Sequence, residues 1–267
     1  MVRVQMKGHG MAINLKSSAD IEAWKEAGRL SAMVLREVGK RCVPGVSTLE
    51  LDQFAEDFIR LHGGIPGFKG LYGFPGSICA SINEQIVHGI PSADVILQEG
   101  DIISIDTGAT VDGWVGDNAW TFPVGQISPA KQRLLDITEK AMWAGIDAAI
   151  AGNRLGDIGH AVQSLAEANG FGVVREYVGH GIGRVMHEDP NVPNYGKPHT
   201  GVRLDVGLCI AIEPMITMGT YKTKTLRDGW TVVTRDGKPA AHFEKTIAVT
   251  ETGPLVITTE PNHVRPV

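Results

Sequence analysis

Apolar residues along this chain change their period several times, and each change marks an element. Behind Ser18 and Asp20, Ile21, Trp24, Leu30, Met33, Val34 and Val38 recur at helical spacing, which predicts an amphipathic helix with an acidic first turn. Ser47-x-x-Glu50 reads as a capping box ahead of Leu51, Phe54, Ala55 and Phe58, so a second helix should run from there to a stop at Gly63-Gly64. Gly, Pro and aromatic rings crowd 65–76, a loop with enough ring side chains to serve as a pocket wall. The stretch 77–87 reads as one strand ending at His88-Gly89-Ile90-Pro91. Residues 101–122 carry β-branched and aromatic residues on both sides of Asp112-Gly113, the pattern of two strands joined by a tight turn. The pattern then restarts. Ser128-Pro129 opens a helix through Leu134, Ile137, Met142 and Ile146 to Gly152, proline being suited to a first helical position. A further helix over 158–169 stops at Gly170.

The restart is a repeat. Shifting the chain by 107 residues places Gly45 on Gly152, Gly63 on Gly170, and Leu51, Ala55 and Phe58 on Ile158, Val162 and Leu165. The same shift carries Asp106 onto Glu213, in the apolar run L-C-I-A-I-E-P-M-I. An α+β unit of two helices and strands, used once over about 18–125 and again over about 126–250, is therefore expected, with both acids near the axis relating the halves. A later alternating strand, H-F-E-K-T-I-A-V-T, carries Glu244, and G-H-G-I-G-R-V-M-H carries His180 and His187. The stretch after Gly253 carries no assignable chemistry.

A two-residue loop at Asp112-Gly113 fixes the hairpin register. Val111 then faces Trp114, Gly108 faces Asp117, and Asp106 faces Ala119, so the two aspartates are diagonal neighbours on one face. Two like charges in an apolar hairpin cost stability unless a cation lies between them. Each acid alone has an ordinary reading, as a turn cap or a solvated strand end. Together, Asp106, Asp117, His180, Glu213 and Glu244 give four carboxylates and one imidazole, a donor set suited to a pair of divalent transition ions. Such a pair lowers the pKa of bound water and polarises a carbonyl.

Composition narrows the partners. The 267 residues are 43% hydrophobic, enough for a large core, and a net charge of −5 with a pI near 6.0 gives no general attraction to nucleic acid or anionic membrane. Small molecules and peptides fit better. Cys42, Cys79 and Cys209 are odd in number and lie among apolar neighbours, as expected of reduced thiols in a cytoplasm. The first twelve residues read as a leader that need not be ordered. With no long apolar run there, neither a signal peptide nor a membrane span is expected.

I-S-I-D-T-G, W-V-G-D-N-A, G-H-G-I-G-R-V-M-H, I-E-P-M and H-F-E-K-T together resemble the type I methionine aminopeptidases, over roughly 11–256. S-I-N-E-Q-I-V-H-G-I-P, with His88, is similar to the methionine-removing branch in particular. The resemblance implies the pita-bread fold, two pseudo-twofold halves with antiparallel sheet and flanking helices in one catalytic domain over 13–267. It implies that Asp106, Asp117, His180, Glu213 and Glu244 bind two divalent ions (Co, Mn, Fe, Zn or Ni), with Asp117 and Glu244 bridging. A metal-activated hydroxide would attack the carbonyl after an N-terminal methionine, preferably one followed by a small residue. Glu213 would move the proton, His187 would stabilise the oxyanion, and His88 would bind near the scissile amide. Phe68, Leu71, Phe74, Cys79, Met186 and Trp230 would form the methionine pocket. Leu71, Phe74 and Met186 stand where many relatives have Tyr, Tyr and Phe, which changes pocket shape and leaves the chemistry alone. Some relatives also hold a monovalent cation on backbone carbonyls near Asn83. Nascent-chain and peptide N-termini are the implied partners, with the ribosome a candidate contact, and a monomer in the cytoplasm is expected. Two alternatives share the fold: an X-Pro peptidase, which normally carries an extra N-terminal domain, and a non-enzymatic binding module, which loses ligands that this chain keeps.

Overall fold

The computed structural model describes residues 13–260. The leader expected over 1–12 lies outside the described residues. The first half runs α1 (Ser18–Gly39), α2 (Thr48–Leu61), β1 (Ile65–Pro66), β2 (Ile78–Ile82), β3 (Gln85–Val87), β4 (Ile102–Val111) and β5 (Trp114–Pro123). The second runs α3 (Pro129–Asp147), α4 (Leu155–Ala168), β6 (Gly172–Val173), β7 (Gly179–Gly181), β8 (Glu188–Val192), β9 (Cys209–Ile212) and β10 (Met215–Thr217). It ends with β11 (Thr223–Thr225), β12 (Val232–Thr234), β13 (Ala240–His242), β14 (Lys245–Thr250) and β15 (Gly253–Val256). Every strand pairing is antiparallel.

Helix α1 starts at Ser18, ahead of its first apolar residue, because Ser17 and Asp20 form a reciprocal capping box. Helix α2 carries the expected Ser47–Glu50 box. Helix α4 begins at Leu155, ahead of the expected 158, since the Asp157 carboxylate accepts from the Arg154 backbone and caps the first turn. The helix after Ser128 ends at Asp147, short of Gly152. The single strand expected over 77–87 is two: Asn83, at φ 52, turns the chain so that β2 pairs with β4 while β3 leaves to pair with β12. The strand expected to carry Glu244 is likewise broken, at 243–244, between β13 and β14.

The offset of 107 is visible in the geometry. Helices α2 and α4 match end for end, Gly45 and Gly152 have φ 93 and 96, and Gly63 and Gly170 have φ 79 and 81. Ile65 pairs with Thr110 as Gly172 pairs with Thr217, and the bridge between Ser47 and Ile96 recurs between Arg154 and Arg203. Each half has its own core. Leu30, Val34, Leu51, Ile59, Ile103 and Ile105 fill the first, and Leu134, Met142, Ile158, Val162, Ile212 and Phe243 the second, with Trp120 against both. All three cysteines are free and buried. Among the described residues no helix is long and apolar enough to cross a membrane.

Helix α1 lies close against the β4–β5 hairpin because two glycines face each other there. A side-chain carbon on Gly116 would stand 2.5 Å from the Ala27 carbonyl oxygen and 2.9 Å from the Gly28 Cα. Around this contact the buried Trp24 indole donates to the Val115 carbonyl (2.6 Å), and the Ser31 hydroxyl donates to the Thr107 carbonyl (3.0 Å). Gly116→Val should therefore push α1 off the hairpin and cost about 1–3 kcal/mol, read as a lowered urea midpoint. An unchanged midpoint would mean that the helix is free to shift.

Candidate active site

The hairpin has the register that its turn dictates: Gly108 opposes Asp117 and Asp106 opposes Ala119. Asp106 and Asp117 thus share a face, joined by Cys79, which opposes Asp106 from β2. The second half reaches this face through strand-to-strand stitching. Glu244 donates its backbone N–H to the Ala119 carbonyl (2.9 Å), and the Thr246 hydroxyl donates to the Asp117 carbonyl (2.8 Å). The Lys245 ammonium, buried, donates to the Asn118 side chain (2.8 Å).

Asp117, His180 and Glu244 each place a ligand atom within 4.8 Å of the other two. His180 Nε2 lies 3.6 Å from Asp117 Oδ2 and 3.6 Å from Glu213 Oε1. The other ring nitrogen, Nδ1, is 2.9 Å from the Gly181 carbonyl, which leaves Nε2 for a metal. Asp106 Oδ1, Asp117 Oδ1 and Glu244 Oε1 are buried with no hydrogen-bond partner. Burial, reinforced by Asp117 and Glu213, holds the Asp106 carboxyl well above the usual carboxylate range, and burial with Asp117 does the same for Glu244. Burial opposes charge on His180, but the carboxylates of Asp117 and Glu213 more than offset it and raise its pKa. Orphaned carboxylate oxygens of Asp117 and Glu244 beside the His180 imidazole, with a third on Asp106 of the same hairpin face as Asp117, are the donor chemistry of a cation site. The residues present therefore fit a divalent metal centre.

Two further histidines flank it. His88, at φ 59 just after β3, faces Tyr177 (5.7 Å between ring centroids) and Trp230 (6.4 Å), and burial with His242 nearby pulls its pKa down to about 4. His187 is exposed by surface area, and desolvation with the neighbouring His180 ring (4.4 Å) also pulls its pKa down to about 4. Both imidazoles are neutral at neutral pH.

The loop bearing His187 is anchored from three sides. The Gly183 carbonyl accepts from Val115 N–H (2.9 Å), the Arg184 guanidinium covers Trp114 (4.1 Å), and Lys16 donates to Glu188 (2.5 Å) and to the Asn14 carbonyl (3.0 Å).

The six residues expected to form the pocket occupy one apolar cluster. Phe68, Phe74, Cys79 and Met186 are buried, with Leu71 and Trp230 packed against them. Phe74 meets Trp230 edge-on at 5.2 Å. Gly108, the cross-strand partner of Asp117, lies under Met186 and Phe68, where a side-chain carbon would stand 2.7 Å from Met186 Cε. Asn83 lies in the β2–β3 turn, where the Lys131 ammonium donates to its side chain (2.8 Å).

Sequence reasoning missed three residues. His242 is buried, its Nε2 3.6 Å from Glu213 Oε2 and otherwise unpartnered. It precedes Glu244 by two positions, so strand parity alone could have placed it on the same face. Tyr177 and Tyr72 flank the two catalytic-candidate histidines, and neither carries a signal in the sequence beyond being aromatic.

Two measurements follow from this geometry. Lys16→Ala strands a largely buried Glu188 carboxylate and should cost about 3 kcal/mol in urea unfolding, with part recovered in Lys16→Met combined with Glu188→Gln. The raised carboxyls of Asp106 and Glu244 favour the protonated form in the metal-free fold. Their contribution is present below the unfolded value of about 4 and is lost as pH rises through their folded values. The gap in Tm between metal-saturated and metal-stripped protein should therefore widen from pH 5 to pH 8. A constant gap would mean that no such charge strain exists.

The family model for metallopeptidase family M24 matches residues 22–251. Methionine aminopeptidase 1 of Bacillus subtilis is 53% identical over 243 residues, covering 91% of this chain and 98% of that protein. The methionine aminopeptidase of Clostridium acetobutylicum is 50% identical over 246 residues, covering 92% and 98%. The crystal structure of methionine aminopeptidase from Rickettsia prowazekii superposes with a TM-score of 0.91 at 42% identity, covering 92% of this chain and all of that one. With this likeness over nearly its whole length, and with the pita-bread fold, the chain belongs to metallopeptidase family M24, among its methionine aminopeptidases.

Proposed function

We propose that this chain removes the N-terminal methionine from peptides and nascent proteins, preferring a small second residue, by metal-assisted hydrolysis. The observation that carries the reading is the apolar cluster of Phe68, Phe74, Cys79, Met186 and Trp230 built over Gly108, directly across the strand pair from Asp117. A side chain seated there brings its own carbonyl to the acidic cluster.

Asp106, Asp117, His180, Glu213 and Glu244 would hold the divalent ions, which when bound would supply an activated water and a Lewis acid for the peptide carbonyl. Glu213 is the proton carrier between the attacking water and the leaving nitrogen. Its two oxygens lie 3.6 Å from His180 Nε2 and 3.6 Å from His242 Nε2, which places the carboxylate between the two rings. His88, neutral and steadied by Tyr177 and Trp230, binds the scissile amide. His187, also neutral, donates an N–H to the carbonyl oxygen as negative charge develops. Methionine, unbranched and polarizable, suits a slot walled by rings and the Met186 thioether, and a branched side chain does not. The chain acts as a cytoplasmic monomer on N-termini emerging from the ribosome, without itself binding nucleic acid or membrane. The free buried thiols and the net charge of −5 support that setting.

Ala substitution separates the roles. Asp117→Ala and Glu244→Ala should lose bound metal and activity together. His88→Ala and His187→Ala should fold, keep metal, and turn over about 10²–10⁴-fold more slowly. Metal loss in either histidine variant would reassign it as a ligand. On Met-Ala-Ser, Leu-Ala-Ser and Met-Leu-Ser peptides, kcat/KM should favour the first over the second by about 10–200-fold. Equal rates on those two would make the enzyme a general aminopeptidase.

A further inference from the structure

Tyr72 is placed at a cost. It lies in the 3-10 turn Leu71–Gly73 at φ 51, a left-handed conformation that a bulky residue rarely adopts, and its side chain is among the exposed large hydrophobics, at 56%. The turn around it is closed by backbone hydrogen bonds. Gly70 N–H donates to the Phe74 carbonyl (2.8 Å), Leu71 N–H to the Phe68 carbonyl (2.9 Å), and Phe74 N–H to the Leu71 carbonyl (2.9 Å). The residue is more than half exposed, but its ring is not free of partners. The ring lies beside His187, with centroids 5.7 Å apart and planes 32° apart, and the phenolic oxygen is 3.5 Å from His187 Nδ1.

A neutral imidazole has one N–H and one lone pair, and the group bound at one nitrogen decides what the other can do. A phenol that donates to Nδ1 keeps the ring proton on Nε2. Nδ1 is then occupied at the rim, and Nε2 is the nitrogen left for a substrate oxygen. On the other side the His180 ring, at 4.4 Å and 60°, limits rotation of His187. The hydroxyl contact is long in the open cleft, as catalytic hydrogen bonds often are before substrate covers them.

We propose that Tyr72 is a positioning residue for His187. Its hydroxyl holds Nδ1 as an acceptor and so keeps the proton on Nε2, the donor that faces the substrate carbonyl. The inference rests on the reading of His187 as the carbonyl's partner. Tyr72 acts through the histidine and is not itself part of the reacting group.

The test uses the full chain loaded with zinc, which is diamagnetic, and carrying 15N-labelled histidine. His187 is assigned by the signals lost in His187→Gln. Long-range 15N–1H correlation should show the Nε2–H tautomer in the wild type and a shift toward a mixture of tautomers in Tyr72→Phe. The same variant should keep its Tm and its metal and hold KM on Met-Ala-Ser within about twofold, while kcat falls about 3–10-fold, the range set by one hydrogen bond. In a His187→Ala background, Tyr72→Phe should have no further effect. An unchanged tautomer in Tyr72→Phe overturns the proposal. So does a loss that multiplies with that of His187→Ala, which would put the hydroxyl on the substrate. The spectrum is read without turnover, so a wild-type protein inactive on methionyl peptides but with a Tyr72-dependent tautomer would refute the functional reading alone.

Discussion

Four carboxylates crowded together, two of them buried and two half-buried, are the constraint to which the rest of the structure answers. Left alone, Asp106, Asp117, Glu213 and Glu244 would drive their strands apart or take up protons, and the raised carboxyls of Asp106 and Glu244 record that tendency. The framework opposes it with backbone. Asp117 lies on β5 and Glu244 just ahead of β14, tied to each other through Ala119, Thr246 and the Asn118 side chain, and α1 is clamped to the opposite side of the same hairpin through Trp24 and Ser31. Pre-organisation of this kind costs stability in the metal-free protein and returns it on metal binding, because cations meet ligands that need no further ordering.

Much of this was legible from spacing. The hairpin register follows from a two-residue turn and strict alternation, so the diagonal placement of Asp106 and Asp117 could be derived before any coordinates. The repeat was legible because turn glycines mark backbone geometry: Gly45 and Gly152, and Gly63 and Gly170, stand at matching positive φ. What was not legible depended on long-range partners. Nothing local told that Asn83 breaks one strand into two, since β2 and β3 separate only because each finds a different neighbour. Nor could His242 or Tyr72 be weighted, because their meaning lies in the atoms opposite them, Glu213 Oε2 in one case and His187 Nδ1 in the other. The ligand roles themselves came from family resemblance, and the geometry adds to them the orphaned oxygens that give those residues a physical reason to bind metal.

The repeat is imperfect in an informative way. Asp106 and Glu213 keep the offset of 107, but Asp117 and Glu244 lie 127 apart, so the second half carries extra chain between its two acids. That chain contains β11 and β12, and β12 does not stay with its own half. It pairs with β3, Val232 against Val87, next to His88. The crossing delivers Trp230 against both Phe74 and His88, closing the apolar cluster with a wall from the other half. The symmetric part of the fold thus supplies paired acids, which a pseudo-twofold can make from duplicated strands. The pocket needs one end different from the other, since a peptide has a direction. The departure from symmetry is where that direction is built: Tyr72 from the first half meets His187, and Trp230 from the second meets His88 and Phe74.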